Sequence, residues 1–235
     1  QSPKFQPELG FKSVELIEQG DLLFKDLNRN STLDKYEDWR LSDEERSKDL
    51  LSKMSLEQKS GFMLISSTRL ENDWSFGKPQ TIEPITSGFN ETDQVTPVNI
   101  FTKKPLTYPT MSIAGTTKDV TRFHKRHFIL RANVPAKILA EWSNNLQALC
   151  EMDGLGIPAI ITSNPRHHIT NNAALGLSVG ETPFSQWPGE LGLAATRDMD
   201  LIRSFADIVR QEWLAVGMRK GYMYMADLAT EPRWQ

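Results

Sequence analysis

Residues 127–164 read HFILRANVPAKILAEWSNNLQALCEMDGLGIPAIITSN, an apolar run, a helix and a second apolar run in succession. HFIL is short, apolar and free of helical periodicity, as a strand covered on both faces should be. Pro135 follows, and a proline at the first turn of a helix costs no hydrogen bond. Behind it Ile138, Leu139, Trp142, Leu146, Leu149 and Cys150 line one stripe of a helix. Gly154 and Gly156 end that helix, and IPAIITSN (157–164) is a second buried strand.

Downstream the pattern repeats. Asp198 can cap a helix whose apolar stripe is Leu201, Ile202, Phe205, Ile208, Val209 and Trp213; Gly217 closes it, and GYMYMADLA (221–229) supplies a third strand. Apolar strands alternating with helices predict an α/β fold with a parallel sheet. Doubly wound sheets and (β/α)8 barrels both begin this way, and in both the working face lies at the C-terminal strand ends. Those ends are polar here: Arg131 to Asn133, Ser163 to His168, and Asp227 onward.

Upstream the texture changes. Residues 66–120 are rich in Thr, Ser, Pro and Gly with weak periodicity, and read as an irregular insertion. Residues 1–65 form a lead-in with two helix starts, each a capping box: Ser42 with Glu45, and Ser55 with Gln58. The lead-in also contains DLNRNSTLDKYE, residues 26–37. Asp26, Asn28, Asn30, the Thr32 carbonyl, Asp34 and Glu37 fall at positions 1, 3, 5, 7, 9 and 12, the ligand spacing of an EF-hand calcium loop. Position 6, where that loop wants glycine, is Ser31. With three full carboxylates and no second loop, the motif suits a weak structural Ca2+ clip better than a sensor. A polar Asn/Asp turn without metal is the alternative.

Bulk properties narrow the function classes. Lys and Arg number 27 against 30 Asp and Glu among 235 residues, a net charge of −3 that favours neither nucleic acid nor an anionic membrane surface. The apolar runs are too short to span a bilayer. One cysteine, Cys150, excludes an intrachain disulfide and reads as core packing. GLSVG (176–180) matches G-x-S-x-G in letters but lacks the strand-to-helix setting of a nucleophilic serine, and no G-x-G-x-x-G is present. SNPRHH (163–168) puts Asn164, Arg166, His167 and His168 at a strand end, a polar lip able to bind hydroxyls or an anion, whereas Glu141, Glu190 and Glu212 read as solvated helix-face residues. The chain opens on polar QSPKFQPELG, as a mature protein whose leader was removed, or a trimmed chain, would.

Taken in order, KDLNRNSTLDKYEDWRLSDEERSKDLLSKMSLEQKSGFML, AEWSNNLQ, LGIPAIITSN, WPGELGLAATRD and ADLATEPRW resemble glycoside hydrolase family 3, over most of 20–65 and 125–235. The resemblance implies a β-glucosidase-like, secreted or periplasmic enzyme that removes terminal β-linked sugars from oligosaccharides. It would be exo-acting and retain the anomeric configuration, using two carboxylates. It implies that residues 121–235 are about three βα units of a (β/α)8 barrel, incomplete, behind a helical lead-in with the EF-hand-like loop. Arg131, Asn164, Arg166, His168 and Asp227 would line the substrate pocket. Asn164 stands where many members carry an Asp that clamps sugar hydroxyls, so one charge-assisted bond is lost. Gln235 replaces the Gly of the family's PRWGR. Both catalytic carboxylates would lie beyond this chain, which alone should be inactive and should need the remainder of the enzyme as partner to cover its last strand. Two other classes stay open: a non-catalytic carbohydrate-binding protein, and a calcium-stabilised structural module.

Overall fold

The computed structural model of the chain describes residues 5–72, 86–99, 101–130, 132, 134–167 and 183–223. Two hairpin strands, β1 (Leu16–Gln19) and β2 (Leu22–Lys25), open the lead-in, turning at Gly20 with φ +64°. Phe24 of β2 is fully buried and stacks on Trp39 at 5.3 Å, with the Arg40 guanidinium 4.7 Å from its ring centre. The calcium-type loop follows directly, so it is entered from a strand rather than a helix. Two helices come next, α1 (Asp43–Lys53) and α2 (Leu56–Phe62), and both capping boxes are formed as the sequence predicts.

A four-stranded parallel sheet holds the rest together: β3 (Ile65–Thr68), β6 (His127–Leu130), β7 (Ile160–Ser163) and β8 (Lys220–Gly221). Between β3 and β6 lie the antiparallel hairpin β4 (Gln94–Val98)–β5 (Pro105–Ile113) and the short helix α3 (Thr116–Thr121). Helix α4 (Ala136–Met152) joins β6 to β7. The helices α5 (Glu190–Thr196) and α6 (Met199–Ala215) precede β8, and Asp198 caps α6 through bonds to the Asp200 and Leu201 amides.

Strand β3 is absent from the sequence reading, which starts the sheet at His127. Its residues ISST offer neither an apolar run nor an alternation. They pair because β6 presents a free ladder edge: Ser66 lies opposite Phe128 and Thr68 opposite Leu130. The Ser66 hydroxyl donates to Asp119 of α3 at 3.3 Å, which satisfies a polar group that the strand would otherwise bury. Residues 66–120, expected to be irregular, therefore contain an edge strand, a hairpin and a helix.

The order of strands in the sheet is their order in the chain, without reversal. Right-handed crossovers along such a sheet place every connecting helix on one face. The core has that composition. Phe128, Leu130 and Ile161 of the sheet cluster with Leu139, Trp142, Leu146 and Cys150 of α4 and Phe205, Val209 and Trp213 of α6. Burial pushes the Cys150 thiol up to about 11, leaving it an inert core residue. Where α6 ends, the chain passes so close to α4 that a Cβ on Gly217 would stand 2.5 Å from that of Ser143. The Ser143 hydroxyl donates to the Val216 carbonyl there at 2.6 Å, and Gly217 takes φ +88°.

The lead-in packs on the opposite end of the sheet from the working face. Glu151, at the C-terminus of α4, accepts the Lys12 and Ser13 amides at 2.8 Å each. Arg29 donates to the Glu151 carbonyl at 3.2 Å, and the Tyr36 hydroxyl reaches the Leu155 carbonyl at 3.3 Å.

Candidate functional site

The C-terminal ends of the parallel strands bring Arg69, Ala132, Asn164 and Tyr222 to one side of the sheet. Asn164 is half-buried and directly follows β7. Arg131, His168 and Asp227, also expected at this face, lie outside the described residues.

Arg166 is 5% exposed, and its guanidinium points into the sheet's main chain. Nε donates to the Ser163 hydroxyl at 2.6 Å, Nη1 to the Ala132 carbonyl at 3.1 Å and Nη2 to the Leu130 carbonyl at 2.6 Å. The planar fork thus ties the end of β7 to the end of β6.

His167 turns to the other side, where it is 2% exposed. Its ring lies 2.7 Å from the Glu212 carboxylate of α6, between Phe184 and Phe205. Glu212 also accepts the Ser185 amide at 3.0 Å, and the His167 carbonyl accepts the Trp187 amide at 2.6 Å. These bonds fasten His167 and Ser185, which stand on either side of residues 168–182 in the chain, to α6. Glu212, expected to be solvated, is the partner of a buried histidine, and its position 45 residues away left no local signal. Burial pushes its carboxyl up, but the Ser185 amide and His167 outweigh that and hold it below the usual range. A depressed carboxyl pKa stabilises the fold above the unfolded-state value near 4.5, and that contribution is lost as pH falls through the folded value. Glu212→Gln should therefore lower stability at pH 7 by about 1 kcal/mol, discounted for partial exposure, with the gap closing toward pH 3. Urea midpoints of the two proteins from pH 3 to 7 check this; a pH-independent gap contradicts it.

Arg69 carries no local signal of a strand end, because the sequence of β3 carries none of a strand. Directly after that strand it is 4% exposed and donates to the Thr92 carbonyl at 2.6 Å, linking the first strand end to the base of the β4–β5 hairpin.

The loop at 26–37 is held by bonds among its own polar side chains and amides. Ser31 adopts φ +59°, the left-handed turn for which glycine is the usual choice, and Arg29 adopts φ +58°. Asp26 is buried and accepts the Asn30 amide at 3.0 Å and the Ser31 amide at 2.9 Å. Glu37 accepts the amides of Leu27 and Asp34 at 2.8 and 2.9 Å. Asn28 and Asn30 donate their side-chain amides to Asp34, whose second oxygen takes the Lys53 ammonium at 2.7 Å. Burial raises the Asp34 pKa, but Lys53 and the two Asn bonds together bring it below the ordinary value. The donor set is all oxygen and suits a hard cation. In this arrangement Lys53 supplies the counter-charge, and among the described residues no three His, Cys, Asp or Glu side chains converge as a metal cluster.

No family model matches the chain. Curated relatives do. A periplasmic beta-glucosidase/beta-xylosidase of Dickeya chrysanthemi is 39% identical over 229 residues, 97% of this chain and 30% of that protein. The chain is thus similar to a β-glucosidase along nearly its whole length. Beta-glucosidase C of Emericella nidulans is 33% identical over 89% of this chain and 28% of its own length. A probable beta-glucosidase C of Aspergillus oryzae is 33% identical over 88% and 27% respectively. The resemblance to the N-terminal portion of glycoside hydrolase family 3 is borne out by these relatives. The chain spans under a third of the length of these relatives. Among its described residues no helix is long and apolar enough to cross a membrane.

Proposed function

We propose that this chain is the N-terminal portion of a secreted or periplasmic, retaining, exo-acting β-glycosidase that removes terminal β-linked sugars from oligosaccharides. The observation that carries the reading is the relatedness to β-glucosidases along nearly the whole chain. The sheet supports it: parallel strands in unbroken chain order with helices on one face are how a (β/α)8 barrel begins, whereas a doubly wound sheet reverses its order. Among the described residues neither edge of the sheet carries a further strand. At β3, Met63 and Leu64 are exposed, and beside β8 an apolar groove is lined by Phe205, Val209, Trp213 and Met218. Parallel sheets of this kind are covered on every side, so the remainder of the enzyme closes the barrel and brings the nucleophile and the acid/base.

In that pocket Asn164 hydrogen-bonds a sugar hydroxyl, with Arg131, His168 and Asp227 as further wall residues. Arg166 acts by positioning, holding the strand ends on which Asn164 stands. The test is nitrophenyl β-glucoside hydrolysis by the full-length enzyme and its Asn164→Ala variant. We expect turnover by the wild type and a kcat/KM at least about tenfold lower in the variant, the worth of one lost hydrogen bond to substrate. No turnover of any nitrophenyl β-glycoside by the wild type would sink the reading.

The loop at 26–37 serves as a structural calcium clip, with Asp26, Asn28, Asn30, Thr32, Asp34 and Glu37 as the ligand set. Calcium there would displace Lys53 from Asp34 and join the lead-in more firmly to the end of α4, remote from the chemistry. Millimolar CaCl2 should raise Tm by about 2–4 °C while equimolar MgCl2 does not, as expected for binding worth roughly 1 kcal/mol. Equal curves with and without calcium contradict the clip.

A further inference from the structure

The hairpin β4–β5 leaves the sheet from the C-terminal end of β3 and is firmly built at its base. Asn90 accepts the Thr116 amide at 3.1 Å and donates its own amide to the Arg69 carbonyl at 3.3 Å. Asp93 accepts the Gly115 amide at 3.0 Å and pairs with Lys118. The tip is equally well made. Asn99 closes the turn with two main-chain bonds to Lys103 and Lys104, its side chain caps the Phe101 and Thr102 amides, and Lys103 sits at φ +59°. The tip and the ribbon below it are nonetheless bare. Phe101 is 86% and Tyr108 83% exposed, and the cross-strand neighbours Val95 and Met111 expose a further apolar pair.

A two-stranded ribbon with apolar side chains in solvent is not stable alone in water. We propose that β4–β5 is a docking arm whose occupant is the remainder of the same enzyme, with Phe101 seated in an apolar pocket on it and Lys103 and Lys104 meeting an acidic rim. This rests on the reading of the chain as a β-glycosidase portion. Three observations select that occupant. The chain spans under a third of its relatives, so most of the enzyme's surface lies outside it. Aliphatic residues such as Val95 and Met111 are suited to protein packing, not to the hydroxyl-rich faces of a sugar. The apolar groove beside β8 is rimmed by Arg210, Arg219 and Lys220, which repel a tip carrying two lysines, so a second copy of this chain is disfavoured there.

The test uses the full-length enzyme with the photo-crosslinker p-benzoylphenylalanine in place of Phe101, together with F101S. Expected are a link from position 101 to a peptide beyond residue 235, unaffected by saturating cellobiose, and a Tm at least about 2 °C lower for F101S. A dimer-mass product, a link that cellobiose abolishes, no link, or an unchanged Tm in F101S would each overturn the arm. Nitrophenyl β-glucoside turnover of the same samples is read separately. An active enzyme without the link removes the arm alone, and an inactive one with the link removes the glycosidase reading alone.

Discussion

Arg126→Met is expected to destabilise the protein by about 3–5 kcal/mol, the largest single effect outside the packed core. Arg126 is 3% exposed at the start of β6. Nε donates to the Ile157 carbonyl at 2.7 Å, Nη1 to the carbonyls of Val120 and Lys125 at 3.1 and 2.8 Å, and Nη2 to the Asp153 carboxylate at 2.6 Å. One side chain therefore joins the end of α3, the start of β6 and the turn between α4 and β7. Methionine fills similar volume but leaves three carbonyls and a carboxylate without their donor, and unsatisfied buried acceptors carry their full desolvation cost. Arg126→Lys should recover only part of the loss, because an ammonium has no planar fork to reach four acceptors. Urea denaturation followed by tryptophan fluorescence measures both. A loss under about 1 kcal/mol for Arg126→Met would show that the turn repacks around the gap.

The second large effect separates two roles for Arg166. If it braces the strand ends, Arg166→Met should cost about 2–4 kcal/mol, from unpaired Leu130 and Ala132 carbonyls and the Ser163 hydroxyl. In the full-length enzyme kcat should fall together with kcat/KM, since Asn164 would be displaced from its substrate. If Arg166 instead gripped the sugar, KM would rise while the urea midpoint stayed within about 0.5 kcal/mol of wild type. Both quantities come from the same preparation, so the two outcomes cannot be confused. Partial rescue of stability by Arg166→Lys would add that charge alone is insufficient.

These two arginines also show which parts of the molecule local sequence can specify. Helix α4 was legible because its stripe repeats at the helical period and its ends are marked by Pro135 and Gly154. Both capping boxes and the Asp198 cap were legible because their partners lie within three residues. The buried strands β6 and β7 announced themselves by short apolar runs, FIL at 128–130 and AII at 159–161. Strand β3 did not, since two serines and a threonine gain their place from the open edge of β6, a partner about 60 residues on. The β4–β5 ribbon was hidden for a related reason. Its Thr- and Pro-rich strands bury almost nothing, so no hydrophobic period marks them.

The candidate site divides in the same way. That polar residues stand after apolar strands, and that Asn164 takes its position at the end of β7, follows from sequence by itself, because strand ends and turn chemistry are local. The spacing of oxygen donors in residues 26–37 is local too. Only the tertiary structure decided that Arg166 faces the main chain of β6, that His167 turns away to Glu212, and that Lys53 reaches Asp34. Each of those pairings closes a buried or half-buried charge across 19 to 45 residues of chain. No short-range pattern encodes such a partner, because the requirement is met by whichever complementary group the packing of helices and sheet brings within about 3 Å.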